Sequence, residues 1–226
     1  MVARAGDEET PAAAAALEQL CRTYWRPIYA WLRRSGQAPA DAEDLTQGFL
    51  ASLIQRNSLQ TANPAKGRFR SFLLAALTNF VSDQRDKARA LKRGGGQNLI
   101  MLDDTESAES FYARQTASNE ESPDRHFDRH FAEALFARAR RRLRDECTGR
   151  GKLAHYEALG PEASQGVHSG LQSRGEALGL TAQAARNVAH RLRLRYRDFI
   201  EEEIRCIVAR DEEVHEERGH LLQSLS

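Results

Sequence analysis

PADAEDLTQGFLASLIQR, residues 39–56, decides the fold class. Its apolar residues Ala42, Leu45, Phe49 and Leu53 recur at 0, +3, +7 and +11, one face of a helix with 3.6 residues per turn. Pro39 suits a first helical position, and Asp41, Glu43 and Asp44 put negative charge at the positive end of the helix dipole. The same spacing returns in Phe69, Phe72, Ala76 and Phe80, in a second helix that stops at Gly94-Gly95-Gly96. SGQAPAD, residues 35–41, reads as the turn before this stretch, and TANPAKG, residues 61–67, as the loop after it. Upstream, residues 14–34 form a helix that Pro27 either breaks or kinks.

Further along the chain, residues 94–124 are polar, acidic and Gly/Ser-containing, a linker with at most one short helix near 110–115. Helical periodicity resumes over 125–147, a short helix follows near 153–159, and 160–170 is a loop. No stretch alternates as a strand does. The expected fold is all-α: a helical domain over 12–93, an acidic flexible linker over 94–124, a second helical domain over 125–208 and an acidic tail over 209–226. The tail carries a weakly amphipathic pattern over 214–225, suited either to capping the second domain or to meeting a partner.

Composition agrees with small helical domains. Of 226 residues, 41% are hydrophobic but only 7% aromatic, too few for one large aromatic core. Lys and Arg number 33 against 32 Asp and Glu, yet the balance is only global. Residues 66–93 carry +6, 97–135 carry −6, 138–152 carry +5, 182–199 carry +4 and 201–218 carry −5. Such blocks fit either polyanion-binding faces separated by acidic spacers or ordinary solvated helix faces. No run approaches the roughly 18 apolar residues of a membrane span, and the N-terminal alanine run has acidic flanks unlike a signal peptide. Cys21, Cys147 and Cys206 are far apart and form no CxxC, so neither a disulfide framework nor a cysteine zinc site is expected, and a cytoplasmic location is.

LQSRGEALGLTAQAARNVAHRLRLRYR, residues 171–197, is the most informative stretch for function. A short helix ends at Leu178, Gly179 makes a tight turn, Leu180 packs inward and Thr181 caps the next helix. In that helix Ala185, Val188, Leu192, Tyr196 and Phe199 form the inner stripe, while Gln183, Arg186, Asn187, His190, Arg193 and Arg197 project elsewhere. This is a helix-turn-helix pattern whose second helix can enter a major groove, early residues reading base edges and later arginines meeting phosphate. A plain helical hairpin would share the turn, but not the Arg-rich exposed face.

Three stretches together resemble a known family. TYWRPIYAWLRRSGQAPADAEDLTQGFLASLIQR is similar to the core-binding part of domain 2 of a bacterial RNA polymerase sigma factor, and KGRFRSFLLAALTNFVSDQRDKARALKRGGG to its promoter-melting part. The helix-turn-helix resembles sigma domain 4, and the short two-domain chain resembles the extracytoplasmic-function (ECF) type. The resemblance implies that Asp41, Glu43, Asp44, Leu45 and Gln47 dock on the clamp helices of the polymerase β′ subunit, with the β subunit as a further partner. Asp44 and Gln47 are the stronger members, because Leu45 also belongs to the apolar stripe. It implies that the loop 63–67 captures a flipped base of the minus-10 element, with Lys66, Arg68, Arg70, Asn79, Asp83, Arg85 and Arg89 along the displaced strand. It further implies minus-35 recognition by Gln183, Arg186, Asn187, His190 and Arg191, and leaves open whether an anti-sigma protein or another regulator, phosphorylation or the C-terminal tail controls the protein. Phe69 and Phe72 share the apolar stripe and read as core rather than base-stacking residues.

The sequence departs from the family in places. Ala38 stands where Ser is common, Gly48 follows Gln47 where an acid is usual, and Arg174, Gly175 and Ala185 replace more typical residues in the helix-turn-helix. A glycine inside a helix costs about 1 kcal/mol relative to alanine, so Gly175 predicts a less stable or differently packed domain 4.

Other signals carry little. His126 and His130 are four apart, but no zincin spacing follows, so no metal site is expected. The glycine triplet lacks the rest of a phosphate loop, and no nucleophile motif marks a catalytic serine. The expectation is a non-enzymatic, cofactor-free transcription initiation factor that binds core RNA polymerase and promoter DNA. The rival readings are a stand-alone helix-turn-helix regulator and a helical scaffold or RNA-binding protein.

Overall fold

The computed structural model describes residues 11–55, 68–90, 122–161, 170–208 and 210–225, with side chains of 11–20, 55 and 88–90 left aside. Eight helices and no strand occur among the described residues, so the chain is all-α. They are α1 (Pro11–Arg34), α2 (Pro39–Gln55), α3 (Phe69–Ala90), α4 (Pro123–Gly149), α5 (Leu153–Leu159), α6 (Leu171–Ala177), α7 (Ala182–Arg205) and α8 (Glu213–Gln223). The loop 61–67 and the expected linker up to residue 121 lie outside the described residues. No described helix is long and apolar enough to cross a membrane.

The chain divides into two compact units, one of residues 1–134 with 205–226 and one of 135–204. In the first, α1 runs as helix through Pro27, so the proline is accommodated rather than ending the helix. Its end is closed by Gly36 at φ +87°, where Gly36 N–H donates to Arg33 O and Gln37 N–H to Leu32 O, both at 3.1 Å. This paired closure needs a left-handed residue, which glycine adopts at no steric cost.

The buried stripes are turned slightly from the sequence expectation. In α2, Ala42, Phe49 and Leu53 are buried as expected, but Leu45 is only half-buried and Thr46 and Leu50 join the core. Thr46 Oγ1 donates to Ala42 O at 2.6 Å, which satisfies its buried hydroxyl. In α3 the inner line is Phe69, Leu73, Leu77 and Val81, whereas Phe72, Ala76 and Phe80 are half-buried at its edge. An apolar helix face is about 100° wide, so two neighbouring lines of apolar residues share it and packing decides which is central. Phe80 still contributes, its ring 5.6 Å from that of Phe49.

Two segments remote in sequence complete this unit. From α4, Phe131 stacks on Tyr24 with ring centroids 4.8 Å apart, and Asp124 Oδ1 accepts a hydrogen bond from Trp31 Nε1 at 3.0 Å. From the C-terminal segment, Ile207 O accepts from Phe69 N–H at 3.1 Å, while Val214 and Leu221 of α8 are buried. The tail thus packs with α3 in the first unit.

The second unit has a two-part core. Ala139, Leu143, Cys147, Tyr156 and Phe199 form one cluster, and Leu159, Ala185 and Ala189 form the other, with half-buried Leu192 packed against both. Around the first lies an ionic network. Glu203 is 5% exposed and receives Arg138 at 2.8 Å and Arg142 at 2.9 Å. Arg142 and Arg195 lie over the Phe199 ring at 4.5 and 4.1 Å. Such cation–π contacts add to the apolar burial of that ring.

Candidate nucleic-acid interface

The turn between α6 and α7 is built as its residues predict. Gly179 has φ +70°, Gly179 N–H donates to Glu176 O and Leu180 N–H to Gly175 O, each at 2.9 Å. Thr181 Oγ1 accepts from Ala184 N–H at 3.2 Å, an N-cap bond that satisfies one of the helix's unpaired donors. The close approach of the two helices rests on Gly175, which is buried. A Cβ there would lie 2.4 Å from Ala185 Cβ. The glycine is thus a packing requirement, which the helix-propensity argument alone missed.

This packing turns Gln183, Arg186, Asn187, His190 and Arg191 outward, all exposed on α7. Three of them form a chain: Arg186 NH2 donates to Gln183 Oε1, and Gln183 Nε2 to Asn187 Oδ1, both at 3.0 Å. The face presents amide and guanidinium groups in helical register, able to donate to and accept from base edges. A groove of about 710 Å³ runs beside it, with Asn187 and Arg191 on one wall and Arg150, Lys152 and His155 on the other. The sequence marks 138–152 as a basic block without singling out this second wall, whose signal is the basic turn Arg150-Gly151-Lys152 after α4.

Not every basic residue of this unit is available. Arg195 donates to Glu146 Oε2 from Nε at 2.9 Å and from NH2 at 2.7 Å, and Arg138 and Arg142 are held by Glu202 and Glu203. The Arg195 hydrogen bond holds the Glu146 carboxyl below its ordinary range despite partial burial. Burial opposes the charge of Arg142, but its hydrogen bonds to Glu203 and Glu202 outweigh this and raise its pKa. Part of the positive block over 138–152 is thus spent on internal pairing.

In the first unit, Asp41, Glu43 and Asp44 are exposed on the first two turns of α2, beside half-buried Leu45 and Gln47. Gln47 Oε1 is buried with no hydrogen-bond partner among the described residues. Ile54, two turns beyond Gln47 on the same side of α2, is 45% exposed, an apolar contact that the stripe analysis did not single out. Gly48 faces the Phe80 ring, where a Cβ would sit 3.4 Å from Cζ.

On α3, Asn79, Asp83 and Arg85 are exposed, so the outer face of this helix is polar as expected. Lys66 and the side chain of Arg89 lie outside the described residues. Arg68 and Arg70 are placed differently. Arg70 is 8% exposed, its NH1 paired with Asp128 and its Nε 3.3 Å from Glu217. Arg68 reaches Glu216 at 2.5 Å and Glu217 at 3.0 Å, and its hydrogen bond to Glu216 raises its pKa. The buried His126 and His130, four apart on α4, face each other with their Nε2 atoms 3.0 Å apart.

Part of the first unit has a counterpart among known families. Residues 20–90 match the family Sigma-70 region 2. No curated protein and no solved structure matches the chain. The region 2 match supports a sigma-factor family and a role in transcription initiation, with core RNA polymerase and promoter DNA as the implied partners. Region 2 covers α2, α3 and most of α1, so both the acidic turns and the Asn79–Arg85 face lie within it.

Proposed function

We propose that the chain is a sigma factor of the ECF type, which binds core RNA polymerase and directs it to promoters with minus-35 and minus-10 elements. The observation that carries the reading is the region 2 match over residues 20–90. Asp41, Glu43, Asp44, Leu45 and Gln47 dock on the β′ clamp helices, with Ile54 extending the contact. An acidic rim around an apolar residue suits a partner helix carrying arginine. Asn79, Asp83, Arg85 and Arg89, with Lys66 before them, contact the minus-10 strand. The second unit works as a helix-turn-helix sigma domain 4, reading the minus-35 duplex through Gln183, Arg186, Asn187, His190 and Arg191. Arg150 and Lys152 meet phosphates across the groove. The factor acts in the cytoplasm, catalyses nothing itself, and its release is open to an anti-sigma protein.

The test is transcription in vitro from a pool of bacterial promoter fragments, with core enzyme alone and with core enzyme plus the protein. The reading predicts discrete transcripts that require the protein. Tight duplex binding by the protein alone, with no gain in transcription, would instead favour the stand-alone regulator.

A further inference from the structure

We propose that α8 is a built-in competitor for the nucleic-acid strand, its carboxylates occupying the seats on Arg68 and Arg70 that strand phosphates would take. The inference rests on the reading of region 2 as a strand-binding domain. Arg68 immediately precedes α3, the helix that carries Asn79, Asp83 and Arg85, and Arg70 lies in its first turn. Glu217 lies between the two arginines with no exposed surface, and Glu216 takes the outer side of Arg68. The acidic residues reach this place across 147 positions of sequence, so the pairing is a feature of the tertiary fold and not of helix spacing.

A carboxylate and a phosphate diester make the same kind of charge-assisted bond to guanidinium. Exchanging one for the other leaves Arg68 and Arg70 paired throughout, which avoids the penalty of a buried unpaired charge. Asp128 remains on Arg70 in either state and is itself 3.3 Å from His220 of α8. The hold on α8 is modest in apolar terms, since Val214 and Leu221 are its only buried apolar side chains. An 11-residue helix is also too short to persist alone in water, so release converts α8 to solvated chain. Ionic pairing thus contributes a large part of what keeps the segment seated, and ionic pairing is what a polyanion displaces.

The experiment uses the full chain and a fluorescein-labelled dT20 strand, followed by anisotropy over a salt series. Glu216→Gln with Glu217→Gln keeps shape and removes both charges. With no carboxylates to displace, the variant makes the same phosphate contacts without breaking ion pairs and binds the strand about 10-fold more tightly near 0.1 M salt. Adding Arg68→Gln to that variant removes part of the gain. Equal affinity for wild type and variant would overturn the proposal, as would no binding by either. A second measurement needs no variant: saturating dT20 speeds amide exchange in residues 213–223 of the wild-type chain, and unchanged or slower exchange there overturns the proposal. Co-elution with core polymerase, run on the same preparations, reports separately whether the sigma reading itself fails.

Discussion

Gly175→Ala sets two helix effects against each other. Alanine is the better helix former by about 1 kcal/mol, so propensity alone predicts a more stable protein. The new Cβ would stand 2.4 Å from Ala185 Cβ. Carbon atoms settle at about 3.5–4.0 Å, so α6 and α7 must separate by about 1 Å or more. Ala185 is fully buried and has no side-chain torsion that could swing aside, so the strain falls on the helices themselves. Overpacking of this kind costs about 2–3 kcal/mol, which leaves a net loss of about 1–2 kcal/mol. Urea unfolding followed by far-UV circular dichroism measures it. Trp25 and Trp31 both lie in the first unit, so their fluorescence serves as an internal control that should not shift. Ala185→Gly in the same chain removes the opposing carbon, and the double variant should show a favourable coupling of about 1 kcal/mol or more. A gain in stability from Gly175→Ala alone would refute the packing argument.

Gly48→Ala should act in the opposite direction. Its Cβ would meet Phe80 at an ordinary 3.4 Å, so thermal unfolding of the first unit should show a gain of about 0.5–1 kcal/mol. The second unit should weaken in acid, because the Glu146 carboxyl has a folded pKa below its unfolded one. Its contribution is full above the ordinary carboxylate range and fades as pH falls through the folded value, so Glu146→Gln should flatten the acid limb of a stability–pH curve. Glu203→Ala leaves Arg138 and Arg142 short of a buried partner and should cost about 3 kcal/mol in urea unfolding, far more than loss of a surface pair. Arg186→Ala should weaken promoter-directed transcription while co-elution with polymerase is unchanged; equal loss of both would remove Arg186 from the proposed minus-35 face.

The helices were legible because their apolar spacing is strong, and the α6–α7 turn because Gly179 and Thr181 each have a specific backbone role. The choice of central stripe in α3 was not legible. Phe72 and Leu73 are adjacent apolar residues, and it is the tertiary packing, in which Phe69 meets Tyr24 and Tyr24 stacks on Phe131, that leaves Leu73 buried and Phe72 at the edge. The outward face of α7 was readable, since its polar residues occupy the positions the apolar stripe leaves. The fate of Arg68 and Arg70 was not, because local sequence shows two basic residues beside a loop and says nothing of acids 147 positions away. The same holds for Gly175, whose value depends on Ala185 across the turn. Charge blocks also misled in part, since Arg138, Arg142 and Arg195 are bound by Glu146, Glu202 and Glu203 within their own unit.

Size-exclusion chromatography of the full chain with core RNA polymerase at moderate salt tests the central claim most directly, with an Asp44→Ala, Gln47→Ala variant alongside. Asp44 is exposed and Gln47 Oε1 has no hydrogen-bond partner among the described residues, so the variant should remain folded. The account predicts stoichiometric co-elution of the wild-type protein and its loss in the variant. Failure of the folded wild-type protein to co-elute would contradict it.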